Sequence, residues 1–177
     1  MSNTFVVWFV IAVFLSWAMG AYNRLVRLRA RGLLTFAALE DLLSKYPLLI
    51  KGSLSDKEEE LEKTAVACEK LVAATDALTA ALRIAHTQPL NGLKTMVVGQ
   101  ALDALAESWC EVKDLPSDLG ESALPSALPT QWEALAMQVE IARLEFNRAV
   151  MNYNESRDQF PAILLAWVFG FKPAQPV

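Results

Sequence analysis

No side chain between Met1 and Asn23 carries a charge, and Arg24, Arg27, Arg29 and Arg31 follow at once. As a helix that run rises about 34 Å, against about 30 Å of bilayer hydrocarbon. Trp8, Trp17 and Tyr22 suit the membrane interfaces, because each ring is apolar and carries one polar handle. The arginines stand on one side of the run and no Lys or Arg stands on the other. The positive-inside bias therefore puts the N-terminus outside and residues 24–177 in the cytoplasm. A cleaved signal peptide would want a basic leading region, which Met1-Ser2-Asn3-Thr4 does not supply. No Cys follows the run, which argues against lipoprotein processing. The expectation is a single-pass membrane protein.

The inner part, of roughly 150 residues, suits one domain. A net charge of -4 and a pI near 5.1 argue against nucleic acid as a partner, and the one basic cluster sits where lipid headgroups should be. Cys68 and Cys110 lie far apart and lack metal-ligand partners, so both read as reduced, small apolar residues. His86 is the one histidine, which removes most zinc sites and most histidine-based triads. The sequence offers no nucleophile–base pair, no glycine-rich phosphate loop and no Glu-x-x-His repeat of the ferritin kind. The chain is expected to be no enzyme and to use no cofactor.

There are 26 alanines, and glycine is absent from 53–91 and from 121–169. Apolar spacing of period 3.6 recurs where strand-like alternation does not, so the fold class is all-α. The first helix is expected to leave the membrane unbroken and run to Ser44, with Pro47 ending or kinking it and Gly52 marking a turn. A second helix opens at Ser55, with Glu58 reaching back to close a capping box, and stops before Gln88-Pro89. Its apolar stripe is Leu61, Cys68, Leu71, Val72, Thr75, Leu78 and Leu82. A third helix spans about 92–113, and a loop rich in proline and serine covers about 114–129. A fourth opens at Thr130, capped with Glu133, ends near Gln159, and carries Trp132, Leu135, Val139, Ala142, Phe146, Val150 and Tyr153 on one face. The expected architecture is an N-terminal transmembrane helix continuous with an elongated antiparallel four-helix bundle.

Four passes in up-down order carry the chain away from the membrane and back twice. The apolar stretch from Phe160 to Phe171, with Trp167 and Phe169 inside it, should therefore arrive at the bilayer surface. It is too short to span and too apolar to leave in water. Lys172 follows and can reach headgroup phosphates. The organisation expected is thus 1–23 anchor, 24–159 cytoplasmic bundle, and 160–177 membrane-proximal segment.

Phe146-Asn147, Val150, Tyr153-Asn154, Phe160-Pro161, Ala166 and Gly170-Phe171-Lys172-Pro173 together resemble the C-terminal signature of the LemA family. Tyr22-Asn23-Arg24-Leu25-Val26-Arg27-Leu28-Arg29 is similar to the juxtamembrane signature of the same family. The resemblance implies a bacterial inner-membrane protein with a short outside N-terminus and a long antiparallel helical bundle inside. Lys45-Tyr46-Pro47-Leu48-Leu49-Ile50 departs from the family's usual Asp-Leu-Ile-Pro-Asn-Leu-Val-like stretch. Ala174-Gln175-Pro176-Val177 replaces its usual aromatic-acidic ending.

Several groups of residues carry candidate functions. Ala12, Ser16 and Gly20 recur every four residues, a spacing that lets two transmembrane helices approach closely. Arg24, Arg27 and Arg31 share a helical face, with Arg29 to one side; they set topology and add contacts to anionic lipid. Asn23, Asn147, Tyr153 and Asn154 read as an interhelix hydrogen-bond network rather than a ligand site. Glu58, Glu59, Glu60 and Glu62 complement a helix dipole on a solvated face. Met137, Ile141, Leu144 and Met151 form a second apolar set on the fourth helix. It is either part of a wide buried face within one bundle or a surface for a neighbouring subunit. The leading expectation is a homo-oligomeric scaffold or membrane organiser on a phospholipid bilayer. The second is a single-pass sensor or adaptor for a cytoplasmic protein partner.

Overall fold

The computed structural model describes residues 2–54, 65–115, 125–160 and 162–177, all of the regular structure in them helical. Helix α1 covers Ser2–Leu43. It stops for one residue at Ser44, whose hydroxyl donates to the Asp41 carbonyl at 2.7 Å, and α2 resumes over Lys45–Leu54. Pro47 follows this break by three residues, so the long helix is interrupted where its ring was expected to end or kink it. It stands in the first turn of α2, where its missing N–H has no carbonyl to bond. Gly52 likewise lies inside α2 and marks no turn.

Helix α3, Ala65–His86, returns toward the base of α1. His86 Nδ1 meets Glu40 Oε1 of α1 at 2.9 Å, so this last-turn residue also ties two helices together. The expected stripe is the buried one: Cys68, Leu71, Thr75, Leu78 and Leu82 face the core. Thr75 stays satisfied there by donating to the Leu71 carbonyl at 2.7 Å. Asn91 caps α4, Gly92–Lys113, its side chain accepting from the Leu93 amide at 3.2 Å. The Ser55–Glu58 cap, Leu61, the glutamate cluster and the middle of the 114–129 loop lie outside the described residues.

Helix α5, Leu128–Asp158, begins two residues before Thr130, and its N-cap Ala127 offers no side-chain hydrogen bond. The reason is Pro129, whose fixed φ and absent donor suit a first turn, so the helix takes it in and leaves Thr130 inside. All seven residues expected on its inner face are buried. Helix α6 is short, Ala162–Phe169. It closes with Gly170 at φ +68°, and the Phe171 amide donates back to the Ala166 carbonyl at 2.9 Å. That is the six-to-one bond of a Schellman ending, where a residue without a Cβ is favoured.

The bundle pairs α1 with α5 and α3 with α4, while α2 bridges α3 and α5. Aromatic rings join these pairs along the axis: Phe36 of α1 meets Phe146 of α5 at 5.4 Å. Trp132 lies between Tyr46, at 4.6 Å, and Trp109, stacked at 4.3 Å and 12°. Such contacts add about 0.5–1.5 kcal/mol each beyond the area they bury.

Candidate functional site

Two regions carry residues placed for more than packing: the foot of α1, and the groove between α4 and α5. Among the described residues one stretch, Thr4–Ser53, is long and apolar enough to cross a membrane, and none of its apolar window is buried by the rest of the chain. The small-residue face is open, since a Cβ built on Gly20 meets nothing within 4 Å. Arg24, Arg27, Arg29 and Arg31 are all exposed below it.

Helix α6 packs beside the lower end of the charge-free run. Phe160 reaches Trp17 at 5.9 Å, and Phe169 reaches Tyr22 at 5.0 Å. Its other side is bare, with Trp167 85 % and Val168 65 % exposed. Two residues grouped with this surface behave differently. Phe171 turns inward and packs on Tyr22, because the chain reverses at Gly170. Lys172 is exposed, but its carbonyl accepts from the Tyr153 hydroxyl at 2.9 Å. Met137, Ile141, Leu144 and Met151 face outward, each more than half exposed, so the wide-buried-face reading of that set does not hold.

After Gly170 the chain runs back along the bundle as an extended strap, residues 171–177, with no regular structure of its own. Phe171, Ala174 and Val177 are buried and the residues between them exposed. The buried positions thus recur every third residue, with Pro173 and Pro176 standing between them. Helix α5 holds the strap by its main chain. Asn154 donates to the Ala174 carbonyl at 2.8 Å and accepts from the Ala174 amide at 3.0 Å. Asn147 does the same with Val177, at 3.1 and 2.9 Å. Arg157 Nε donates to the Phe171 carbonyl and Arg143 Nε to the Val177 oxygen, both at 2.9 Å.

The register follows from two rises. Asn147 and Asn154 are seven residues apart, about 10.5 Å along an α-helix, while three residues of extended chain span about 10 Å. The two asparagines thus meet strap residues three apart, Asn154 with Ala174 and Asn147 with Val177, the strap running antiparallel to α5. On the opposite wall α4 presents Gly92, Thr95 and Gly99. The Thr95 hydroxyl donates to the Gln175 carbonyl at 3.3 Å. A Cβ on Gly92 would come within 2.5 Å of the Gln175 side chain, so Gln175 lies directly against the α4 backbone at this height and would have to swing away from any larger residue.

Burial pushes the Tyr153 hydroxyl pKa up, with Arg29 and Arg157 opposing, so it remains a donor to the strap. Beside it, Arg29, Leu33, Gln88 and Lys172 border an open cleft of about 670 Å³. The expected interhelix network is not formed: Asn147, Tyr153 and Asn154 bond to strap main chain rather than to other helices, and Asn23 is exposed on α1 and is not among them. Arg143, Arg157, Thr95 and the two glycines of α4 were not singled out from the sequence. The legible signal was apolar 171, 174 and 177 flanking Pro173-x-x-Pro176. Among the described residues no cluster of His, Cys, Asp and Glu is arranged to hold a metal ion.

Comparison with curated proteins and with solved structures gives no match. The sequence model of the LemA family does match, over residues 40–177, which takes in α2 to α6 and the whole strap. The chain belongs to the LemA family.

Proposed function

We propose that this protein is a membrane-anchored helical bundle that self-assembles at the bacterial inner membrane as a scaffold or membrane-organising component. The N-terminus lies outside, the bundle lies in the cytoplasm, and the chain performs no catalysis and needs no cofactor. The observation that carries self-assembly is the outward stripe on α5: Met137, Ile141, Leu144 and Met151 are 69, 56, 58 and 59 % exposed. Four large apolar side chains in one row are costly to leave in water, at about 25 cal/mol for each Å². A second copy is the occupant that reading favours, because the anchor's open Ala12–Ser16–Gly20 face offers a companion contact in the membrane. Two different contacts on one protomer generate rings or larger arrays. The bare side of α6, beside Trp17 and Tyr22, supports a role for Phe160, Trp167 and Phe169 in bearing on lipid.

Light scattering of the full-length chain in detergent tests this. Oligomers are expected, Ile141→Lys should shift them toward monomer, and a monomer in the unmodified chain removes the assembly reading. The sensor or adaptor reading draws on the open cleft by Arg29 and Lys172. It expects oligomer size to be indifferent to loss of residues 160–177, whereas the scaffold reading expects disruption.

A further inference from the structure

Where the end of α5 meets α1, the two helices and the start of α6 leave a cleft of about 350 Å³, a size typical of small-ligand sites. Trp17 and Phe160, whose rings meet at 5.9 Å, wall its membrane-ward end. Arg24, Ser156 and Gln159 supply its polar side. Gly20 keeps it open, since a Cβ there would meet nothing within 4 Å.

Two of these groups ask for an occupant. Ser156 is only 6 % exposed, yet its hydroxyl has no hydrogen-bond partner among the described residues. Buried hydroxyls are nearly always paired, and Thr75, Thr95 and Ser108, the other buried ones here, each donate to a carbonyl. Arg24 is exposed and pairs with no carboxylate among the described residues. None of the residues lining the cleft is acidic, and Asp158 beside it is bonded to Arg157. A donor and a cation thus stand on one side of an apolar slot with nothing negative to meet.

We propose that this cleft binds one phospholipid, its phosphate held by the Arg24 guanidinium and the Ser156 hydroxyl, its acyl chains lying along Trp17 and Gly20. The inference rests on the membrane-anchor reading above and adds a discrete site to it. Arg24 is the first charge after the charge-free run, so it stands where hydrocarbon gives way to headgroups. Trp17 and Arg24 are seven residues apart, about 10.5 Å along a helix, against an interfacial layer about 5–7 Å deep on each side of a bilayer. The cleft therefore runs from the hydrocarbon edge through the level of the phosphates, and lipid is what the surroundings supply there. A guanidinium fork matches two phosphate oxygens, and a cation without a counter-charge favours a headgroup of net negative charge. Arg27 and Arg31 do not line the cleft and meet headgroups only as passing neighbours.

Native mass spectrometry of the full-length chain in mild detergent tests this, with phosphatidylglycerol added back after delipidation. One phospholipid should stay bound to each protomer once detergent is stripped. Arg24→Gln removes a charged partner and should weaken binding about tenfold or more, while Arg27, Arg29 and Arg31 remain to hold topology. Ser156→Ala should weaken it several-fold, and Arg31→Gln should leave it unchanged. Equal loss in Arg24→Gln and Arg31→Gln marks a general attraction of lipid to cations and overturns the proposal. An unmodified chain that retains no lipid overturns it too, as does displacement of the lipid by millimolar inorganic phosphate, which would make the site one for a free anion. Ser156→Ala has a second readout. In lipid-free detergent its melting temperature should hold or rise, because the lost hydroxyl had no partner. A lowered melting temperature with lipid still bound makes Ser156 structural and overturns its role. Alkaline washing of membranes separates site from anchor. Chain that stays in the pellet but carries no lipid keeps the anchor and loses the site, whereas chain released to the supernatant loses both.

Discussion

Tyr46 sits with its ring on Trp132, and its burial raises the hydroxyl pKa from 10.0 to about 12. A phenolate there would lose its water and gain no counter-charge. The folded state therefore holds this proton more tightly than the unfolded chain, so stability is fully present below pH 10 and is lost as pH climbs toward 12. At about 1.4 kcal/mol for each pH unit of separation the loss is of order 2–3 kcal/mol. The denaturation midpoint should fall across that window, and Tyr46→Phe should flatten the fall; an unchanged slope would contradict it. Tyr153 adds to the same alkaline loss in direction, since burial raises its pKa too. Its deprotonation would also withdraw the donor that Lys172 accepts from. The asparagines act through a different property: a carboxamide offers a donor and an acceptor at once, which is what the N–H and C=O of one residue require.

At the scale of elements, the ending of α6 decides where the strap can go. Gly170→Ala meets no steric obstacle, because nothing lies within 4 Å of the added Cβ. The cost is purely conformational, about 1 kcal/mol for a side chain held at positive φ. The melting temperature should drop by a few degrees, and hydrogen exchange at the Ala174 and Val177 amides should quicken more than in α3 or α4. Equal quickening everywhere would mean the strap is not a separate unit. The start of α5 teaches a related lesson. Thr130 and Glu133 carry the letters of a capping box, but Pro129 is the better first-turn residue and takes the position. A motif names a capability, and its neighbours decide whether it is used.

For the whole molecule, the bundle has one end that is apolar in two places, the charge-free run of α1 and the bare side of α6. If they share a bilayer, a nitroxide at Trp167→Cys in nanodiscs should show the oxygen accessibility of a lipid-facing site. The same label at Ile141→Cys should report protein contact in an oligomer or water in a monomer. Aqueous accessibility at 167 would detach α6 from the membrane. Loops and tilt do not enter this comparison, because both positions are referred to the same anchor.

Much of the architecture was legible in local periodicity. Every inner residue expected on α5, from Trp132 to Tyr153, is buried, and α4 spans Gly92–Lys113 as its spacing implies. Such patterns repeat every few residues, so a run of them carries its own answer. The length of the charge-free segment is equally local, since it compares one helix with one bilayer. Which of two apolar faces meets the rest of the chain is not local. Met137, Ile141, Leu144 and Met151 read as either core or surface until α1 and α2 are seen to cover the other side of α5. The strap groove belongs to the same class: Asn147 binds a residue 30 positions away and Thr95 one that is 80 away. Amino-acid order dictated the helices and the faces they offer, because those depend on neighbours along the chain. Folding alone decided that the segment after Gly170 turns back into a main-chain-reading groove, because hydrogen-bond partners are chosen by proximity in space.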